Sequence, residues 1–391
     1  MFMDKKLTDM LHFYLWFPEL FCSTGGIQTY SNFLFKAFQK INPNFKYEVF
    51  LKNDAALESI KEKANIKWHF TGDWQGFFRT VVFASQVIGH GIYQRPDLVI
   101  SSHLNFTVAA YWLKKIAGVP YWAVAHGVEA WNIENQGLKK ALQDADQILA
   151  VSNYTRDRLL KEQNIDPSKI VILPNTFDAE RFKINPKPKQ LLKRYGLTLD
   201  QSIILTVARL ASSEAYKGYD KILQALPEIR TKIPNVHYIL VGKGSDRTRI
   251  ETLITELDLQ DCVTLAGFVP DEELCDHYNL CDVFAMPSLG EGFGIVYLEA
   301  LACGKPTLGG NQDGAIDALC NGELGVLVNP DDIEDIAQSL IQILQGSYPN
   351  PLIYQPEVLR QKIIDYFGFD RFEETLANYL NEWILSSNSK K

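Results

Sequence analysis

Short apolar runs recur along the whole chain at spacings that leave room for a helix between most neighbours. In the first half they fall at residues 12–17, 47–51, 66–70, 98–101, 121–125, 147–151 and 170–173. In the second they fall at 202–207, 237–241, 263–265, 283–286, 306–308 and 325–328. Unbroken apolar runs of this length suit parallel strands, which are buried on both faces beneath crossover helices. Helical periodicity fills gaps at 26–40, 74–89, 106–117 and 154–162, then at 218–228, 247–257, 272–280, 295–302 and 333–344. The pattern predicts an α/β protein of two doubly wound, Rossmann-like domains, with ligands at the carboxyl ends of the strands facing a central cleft.

At 391 residues the chain exceeds what one core usually supports. Lys183-Ile184-Asn185-Pro186-Lys187-Pro188-Lys189 is polar and twice interrupted by proline, as a linker is. The expected domains are 1–182 and 183–369. Residues 370–391 form a terminal helix with Phe372, Leu376, Tyr379, Leu380 and Trp383 at helical spacing.

The formal net charge of -8 argues against a nucleic-acid partner, because phosphate-backbone binding needs a basic surface. Residues 1–180 carry 19 Lys and Arg against 18 Asp and Glu, and residues 181–391 carry 20 against 29. The first half therefore tolerates an anionic membrane surface better than the second. The aromatics of Trp74-Gln75-Gly76-Phe77-Phe78-Arg79 belong either to the core or to a membrane or lipid contact. No run reaches the ~18–20 apolar residues of a membrane span, and the apolar run at 11–17 is short for a signal peptide. The expected location is cytoplasmic, with peripheral contact on the inner face of the plasma membrane as the membrane alternative. The six cysteines show no CxxC spacing and read as reduced core thiols. Asp144-Ala145-Asp146 has the form of a metal-binding DxD, but between a helix end and a strand it reads as a capped turn. No metal is expected in the site.

Chemistry concentrates at Gly290-Glu291-Gly292-Phe293-Gly294-Ile295 and the helix that follows, with Glu299 a turn and a half inside it. The glycines permit close backbone approach, and the helix start offers unpaired N–H groups beside two fixed acceptors. A ligand bearing both hydroxyls and phosphates fits such a place. After the run at 202–207 come Arg209 and Lys217, a planar fork and a point charge able to neutralise a diphosphate. Thr24-Gly25-Gly26 is either a phosphate cradle or a structural turn. His126, at the end of the run at 121–125, either meets a ligand hydroxyl or bonds structurally. Gly242 in Val241-Gly242-Lys243-Gly244, and Val269 in Gly267-Phe268-Val269, are candidate walls for a nucleobase. The former lacks the third glycine and the downstream acid of a dinucleotide fingerprint.

Together these pieces resemble the retaining GT-B glycosyltransferases of family 4 over nearly the whole chain. Glu291 to Glu299 matches the family's E-x7-E motif, followed by Ala300-Leu301-Ala302-Cys303-Gly304-Lys305-Pro306. The resemblance implies the GT-B fold, with the terminal helix crossing back onto the N-terminal domain. It implies a UDP- or GDP-hexose donor and a hydroxyl acceptor on a glycan or lipid-linked glycan, in cell-surface polysaccharide or glycolipid synthesis, with no cofactor beyond the donor. Glu291 would bind hydroxyls of the donor sugar, Glu299 the ribose, and Arg209 and Lys217 the diphosphate. The amides of Phe293, Gly294 and Ile295 would meet the sugar or distal phosphate. Gly25 and Gly26 would close on it, His126 would contact the transferred sugar, and the base would rest near Val269. With Glu291 engaged by hydroxyls, no carboxylate is free as a nucleophile, which favours front-face substitution. One departure is Ala211-Ser212-Ser213-Glu214-Ala215, which lengthens the Arg209–Lys217 spacing; a two-residue bulge before the lysine would leave the geometry workable. The alternatives are a nucleotide-sugar hydrolase or epimerase on the same fold, and a non-catalytic nucleotide-sugar-binding protein.

Overall fold

The computed structural model describes residues 11–22, 25–56 and 64–388. The chain folds as two units, residues 1–175 with 370–391, and residues 176–369.

The first unit runs β1 (His12–Phe17), α1 (Gly26–Ile41), β2 (Lys46–Leu51), β3 (Ile66–Phe70), α2 (Gly76–Gln94), β4 (Leu98–Ser101), α3 (Leu104–Ala117), β5 (Tyr121–Ala125), α4 (Gln136–Asp144), β6 (Gln147–Ala150), α5 (Asn153–Gln163) and β7 (Ile170–Ile172). The strands are parallel in the order β3-β2-β1-β4-β5-β6-β7. Phe13 to Phe17 and Tyr121 to Ala125 are wholly buried, which is why neither run alternates. Burying each large apolar side chain contributes about 1.5–3 kcal/mol. The helix predicted at 74–89 continues to Gln94 and ends at Arg95 in the left-handed region. Asp144 and Asp146 pair with Lys114 and Lys115, and Asp146 also accepts the Tyr121 N–H at 2.9 Å.

The second unit runs α6 (Lys189–Tyr195), β8 (Ser202–Val207), α7 (Tyr219–Lys232), β9 (Val236–Val241), α8 (Arg247–Glu256), β10 (Val263–Gly267), α9 (Asp271–Leu280), β11 (Val283–Met286), α10 (Ile295–Ala302), β12 (Thr307–Gly310), α11 (Ala315–Ala318), β13 (Val326–Val328), α12 (Ile333–Leu344) and α13 (Pro356–Phe367). Its sheet is parallel in the order β10-β9-β8-β11-β12-β13. Pro227 forgoes one bond inside α7 on an exposed face, while Ile229 beyond it is buried and holds the helix together. Residues 176–182 belong here because Arg360 donates to the Ala179 and Phe182 carbonyls. The polar stretch at 183–189 is strapped to the same unit. Lys187 pairs with Asp282 at 2.7 Å, and Asn279 exchanges bonds with Asn185 and Lys183.

The terminal helix α14 (Phe369–Asn388) follows a break at Gly368, and from Asp370 onward it belongs to the first unit. Phe372, Leu376, Leu380 and Ile384 are buried. Trp383 meets the rings of Phe13 and Trp122, and Tyr379 donates to the Ile172 carbonyl at 2.9 Å. All six cysteines are free thiols. Cys22 is exposed, because it lies in the turn after β1 and not within an element, so it is not a core thiol.

Leu376 is wholly buried, so Leu376→Ala should remove about 2–5 kcal/mol of stability. Urea denaturation followed by tryptophan fluorescence measures it, and an unchanged midpoint would show that α14 does not complete the first unit's core.

Candidate functional site

In the second unit the chain lays β9 and β10 to one side of β8 and then returns to lay β11 on the other. The loops after β8 and β11 therefore open side by side at a topological switch point. After β8 the chain enters a 3₁₀ turn, Ser212–Lys217, which carries Lys217 at its end. This turn, and not a two-residue bulge, absorbs the extra residues between Arg209 and Lys217. It is stitched to the β11 loop by the Leu289 N–H, which donates to the Tyr216 carbonyl at 2.8 Å.

That stitch sets the Lys217 ammonium on the Glu291 carboxylate in a close ion pair. Glu214 joins them, reaching Arg209 at 2.5 Å with one oxygen and Lys217 at 3.7 Å with the other. Two cations thus balance two carboxylates. The Lys217 side chain is 15% exposed and that of Arg209 is 76%, so Lys217 is enclosed by its partners while Arg209 pairs with Glu214 from solvent. Burial opposes the Lys217 charge, but Glu291, Tyr216 and Glu214 outweigh it and raise its pKa above the ordinary lysine value.

Glu291 is also held through its backbone. Asp313 accepts from the Glu291 N–H and the Ser288 hydroxyl, each at 2.7 Å, and from the Ala315 N–H at 2.9 Å. Burial pushes the Asp313 carboxyl up to about 7 against these three bonds. Sequence reasoning missed Asp313 and Glu214 alike. Asp313 sits in a turn after β12 and reaches the site only because β12 lies beside β11.

Glu299 occupies a drier place on α10. The Tyr278 hydroxyl donates to it at 2.7 Å. Burial pushes its carboxyl up to about 7, opposed by that bond and by the Arg181 charge. At the start of α10, Gly294 has φ of 87°, a conformation strained for any side chain, and an added Cβ would strike the Tyr297 ring. Phe293 is buried against Phe367, and Ile295 opens the helix, whose first N–H groups lack intrahelical acceptors. Gly242 has φ of 143°, and a Cβ there would lie 1.8 Å from the Ala208 carbonyl oxygen. This close approach lets the β9 loop support Arg209, with the Leu210 N–H donating to the Lys243 carbonyl at 3.1 Å. Val269 is buried beside Phe268, which is 57% exposed with the Lys243 ammonium 4.6 Å from its ring centre.

The remaining predicted residues lie in the first unit. Gly25 caps α1 and Gly26 begins it, exposed and with open space around its Cα. Thr24 lies outside the described residues. His126 follows β5 with its Nε2 2.8 Å from the Ser102 carbonyl, so Nε2 is the donor there and Nδ1 is left for other work. Burial lowers the His126 pKa against the Glu129 charge, which keeps the ring neutral. His103, which sequence reasoning passed over, caps α3 and is likewise depressed by burial.

Residues 25–181 match the family Glycosyltransferase Family 4, and residues 189–359 match Glycosyl transferases group 1. The GDP-mannose-dependent alpha-(1-6)-phosphatidylinositol monomannoside mannosyltransferase of Mycolicibacterium smegmatis is 33% identical over 235 residues. That alignment covers 57% of this chain and 60% of the relative, so the chain spans less than two thirds of the relative's length. The D-inositol 3-phosphate glycosyltransferase of Mycobacteroides abscessus is 25% identical over 82% of this chain and 77% of its own. Among solved structures, Anabaena HepE in complex with UDP and glucose superposes with a TM-score of 0.76 at 19% identity, covering 95% of this chain and 100% of HepE. Sucrose-phosphate synthase from Thermosynechococcus elongatus gives 0.78 at 19%, covering 96% and 100%. At these identities the superpositions establish the fold, two Rossmann-like domains of the GT-B kind.

Glu299 and Asp313 take up protons on folding, because their folded pKa values lie above the ordinary carboxylate range. Their favourable share of stability is fully present below that range and is lost as pH rises through about 7. The urea midpoint should therefore fall between pH 5.5 and 8, and Glu299→Gln with Asp313→Asn should flatten that fall. An equal fall in the double variant would remove these carboxyls as its source.

Proposed function

The chain belongs to the family 4, group 1 glycosyltransferases, and from that membership we propose that it transfers a hexose from a nucleoside-diphosphate sugar to a hydroxyl of a lipid-linked glycan acceptor, with retention of anomeric configuration. The observation that carries this reading is the arrangement of Arg209 and Lys217 against Glu214 and Glu291 at the β8–β11 switch point. An incoming diphosphate competes with Glu214 for Arg209 and draws on the fixed charge of Lys217. Glu291 accepts hydroxyls of the donor sugar, and the α10 amides at Phe293, Gly294 and Ile295 face the sugar or distal phosphate. Glu299 accepts the ribose hydroxyls. Gly242 and Val269 flank the nucleobase. Gly25, Gly26 and His126 are the candidate ligand contacts of the first unit. The relatives named for GDP-mannose make it the first donor to test, ahead of the UDP-sugars.

The acceptor hydroxyl oxygen bonds the anomeric carbon on the face from which the diphosphate departs. Its proton passes to the departing phosphate oxygen, and Arg209 and Lys217 offset the charge that develops there. No protein nucleophile takes part, since Glu291 is held by Lys217. Neither a cofactor nor a metal enters these steps. Arg209→Ala should lower kcat by about 10²–10³-fold, the usual loss on removing a donor at a developing charge. Radiolabelled hexose transfer measures it, and undiminished transfer would overturn the assignment.

Ribose hydroxyls donate to an ionised Glu299, so nucleotide affinity should fall as pH drops from 8 to 6 through about 7. Calorimetry with GDP and UDP should show that fall in the wild type and none in Glu299→Gln. A pH-independent wild type would break the link between Glu299 and the ribose. In a thermal-shift panel, a ligand at one hundred times its Kd adds about 2.7 kcal/mol, enough to rank GDP-mannose against UDP-hexoses.

The acceptor's lipid calls for a membrane-facing surface, and the start of α2 offers one. Trp74, Phe77 and Phe78 are 51%, 78% and 69% exposed, so they are not core residues. Among the described residues no helix is long and apolar enough to cross a membrane, and the contact proposed is a peripheral one. Flotation with anionic vesicles should recover the wild type and lose Trp74→Ala/Phe78→Ala. Equal recovery of both would rule this surface out.

A further inference from the structure

Away from the residues discussed so far, three histidines and a buried glutamate converge on one face of the first unit's sheet. Strand register pairs Tyr14 with Glu48, Glu48 with Lys67 and Phe50 with His69, which places His12, Glu48 and His69 on a common face. Helix α2 brings His90 to the same group, and the Tyr14 hydroxyl donates to the His90 carbonyl at 3.3 Å. The Glu48 side chain is 1% exposed. Its Oε2 lies 2.8 Å from His69 Nε2 and 4.0 Å from His90 Nδ1. The Gln94 side-chain nitrogen lies 3.4 Å from both that oxygen and His90 Nδ1.

We propose that this cluster is a zinc site, with Glu48 Oε2, His69 Nε2 and His90 Nδ1 as ligands and a water or the Gln94 side-chain oxygen in the fourth position. A tetrahedral ion with bonds of about 2.0–2.1 Å holds its ligand atoms about 3.3–3.4 Å apart. The four separations above bracket that value, and the three ligand atoms all lie within 4.8 Å of one another. Turning the Gln94 amide over would present its oxygen where its nitrogen now sits. Two imidazoles and a carboxylate are a donor set that suits zinc.

The surroundings hold the ligands in place. The His69 ring stacks on Phe50 at 4.3 Å and meets the His90 ring edge-on at 4.7 Å. The other carboxylate oxygen, Glu48 Oε1, faces His12 Nε2 at 3.4 Å and the Lys46 ammonium at 3.6 Å. Among the described residues, buried His12 Nε2 has no hydrogen-bond partner. Drawn slightly closer, it would donate to Oε1 and orient the carboxylate, as outer partners of metal ligands do. The His90 side chain is 36% exposed and leaves a way in. Because β3 is the edge strand and α2 packs over this face, the ion would tie edge strand to helix. The ligands come from three separate elements, so no sequence spacing announces them.

The test uses the full chain, treated with EDTA, desalted and titrated with zinc alone against a colorimetric indicator. The wild type should retain one equivalent through gel filtration and gain thermal stability. With cobalt it should show the visible bands of a tetrahedral nitrogen–oxygen site, without the thiolate charge-transfer absorption that binding at a cysteine would give. His90→Gln, altered on the half-exposed helix and checked for folding by circular dichroism, should bind zinc at least 10-fold more weakly, and His69→Gln should do the same. A wild type that retains no zinc would overturn the proposal, as would variants that bind as tightly as wild type. The cluster shares no residue with the proposed transfer site, so either result leaves that reading where it stands.

Discussion

The geometry of the second unit's candidate site depends on the ion pair between Lys217 and Glu291. Taking both charges out of water costs several kcal/mol per ion, so such a pair persists only where other bonds fix its geometry. Here the fixing is visible on both sides. Lys217 rides on a 3₁₀ turn bonded to the β11 loop, and the Glu291 backbone is held by the buried carboxyl of Asp313. Without the pair, the loops after β8 and β11 would present two unrelated charges. With it they present a neutral set in which one member, Arg209, is mostly in solvent.

That neutrality has a consequence for binding. A diphosphate arriving at a set of two cations and two carboxylates gains little unless a carboxylate gives way. Glu291 cannot easily do so, because it is held through both side chain and backbone. Glu214 can, since its partner Arg209 is exposed and its contact with Lys217 is long at 3.7 Å. On the proposed function, Glu214 would keep the two cations paired until the donor's diphosphate replaces it. The five residues that looked like an awkward insertion between Arg209 and Lys217 supply this placeholder.

The fold was legible because its physics is local and repeated. Strands buried on both faces cannot alternate, and β1, β5, β8 and β11 fall at the residues read from their apolar runs. Helices α4, α6 and α13 escaped because they are polar or short and bury few residues, Leu138, Ala141 and Leu142 in α4. Of the candidate residues, Arg209, Lys217 and Glu291, which the structure gathers around Glu214, were legible from spacing along the chain and from family pattern. Asp313 and Glu214 were not, because their importance lies in where a neighbouring strand or a 3₁₀ turn points a carboxylate. The exposure of Phe77 and Phe78 was equally hidden, since helical spacing is the same for a core stripe and a surface one.

The acid pairs also show why residue type alone misleads. Glu291 and Glu299 lie eight positions apart, yet one faces a lysine and the other a tyrosine hydroxyl. A carboxylate paired with an ammonium serves as a fixed acceptor. A carboxyl in a drier place, bonded by a neutral donor, keeps its proton to about pH 7. Glu48 is a third case, buried on the first unit's sheet with three imidazoles around it and the Lys46 ammonium beside its other oxygen. Imidazoles can offer lone pairs as well as protons, and only that environment suits a metal ion. Partner chemistry, more than burial, separates the three.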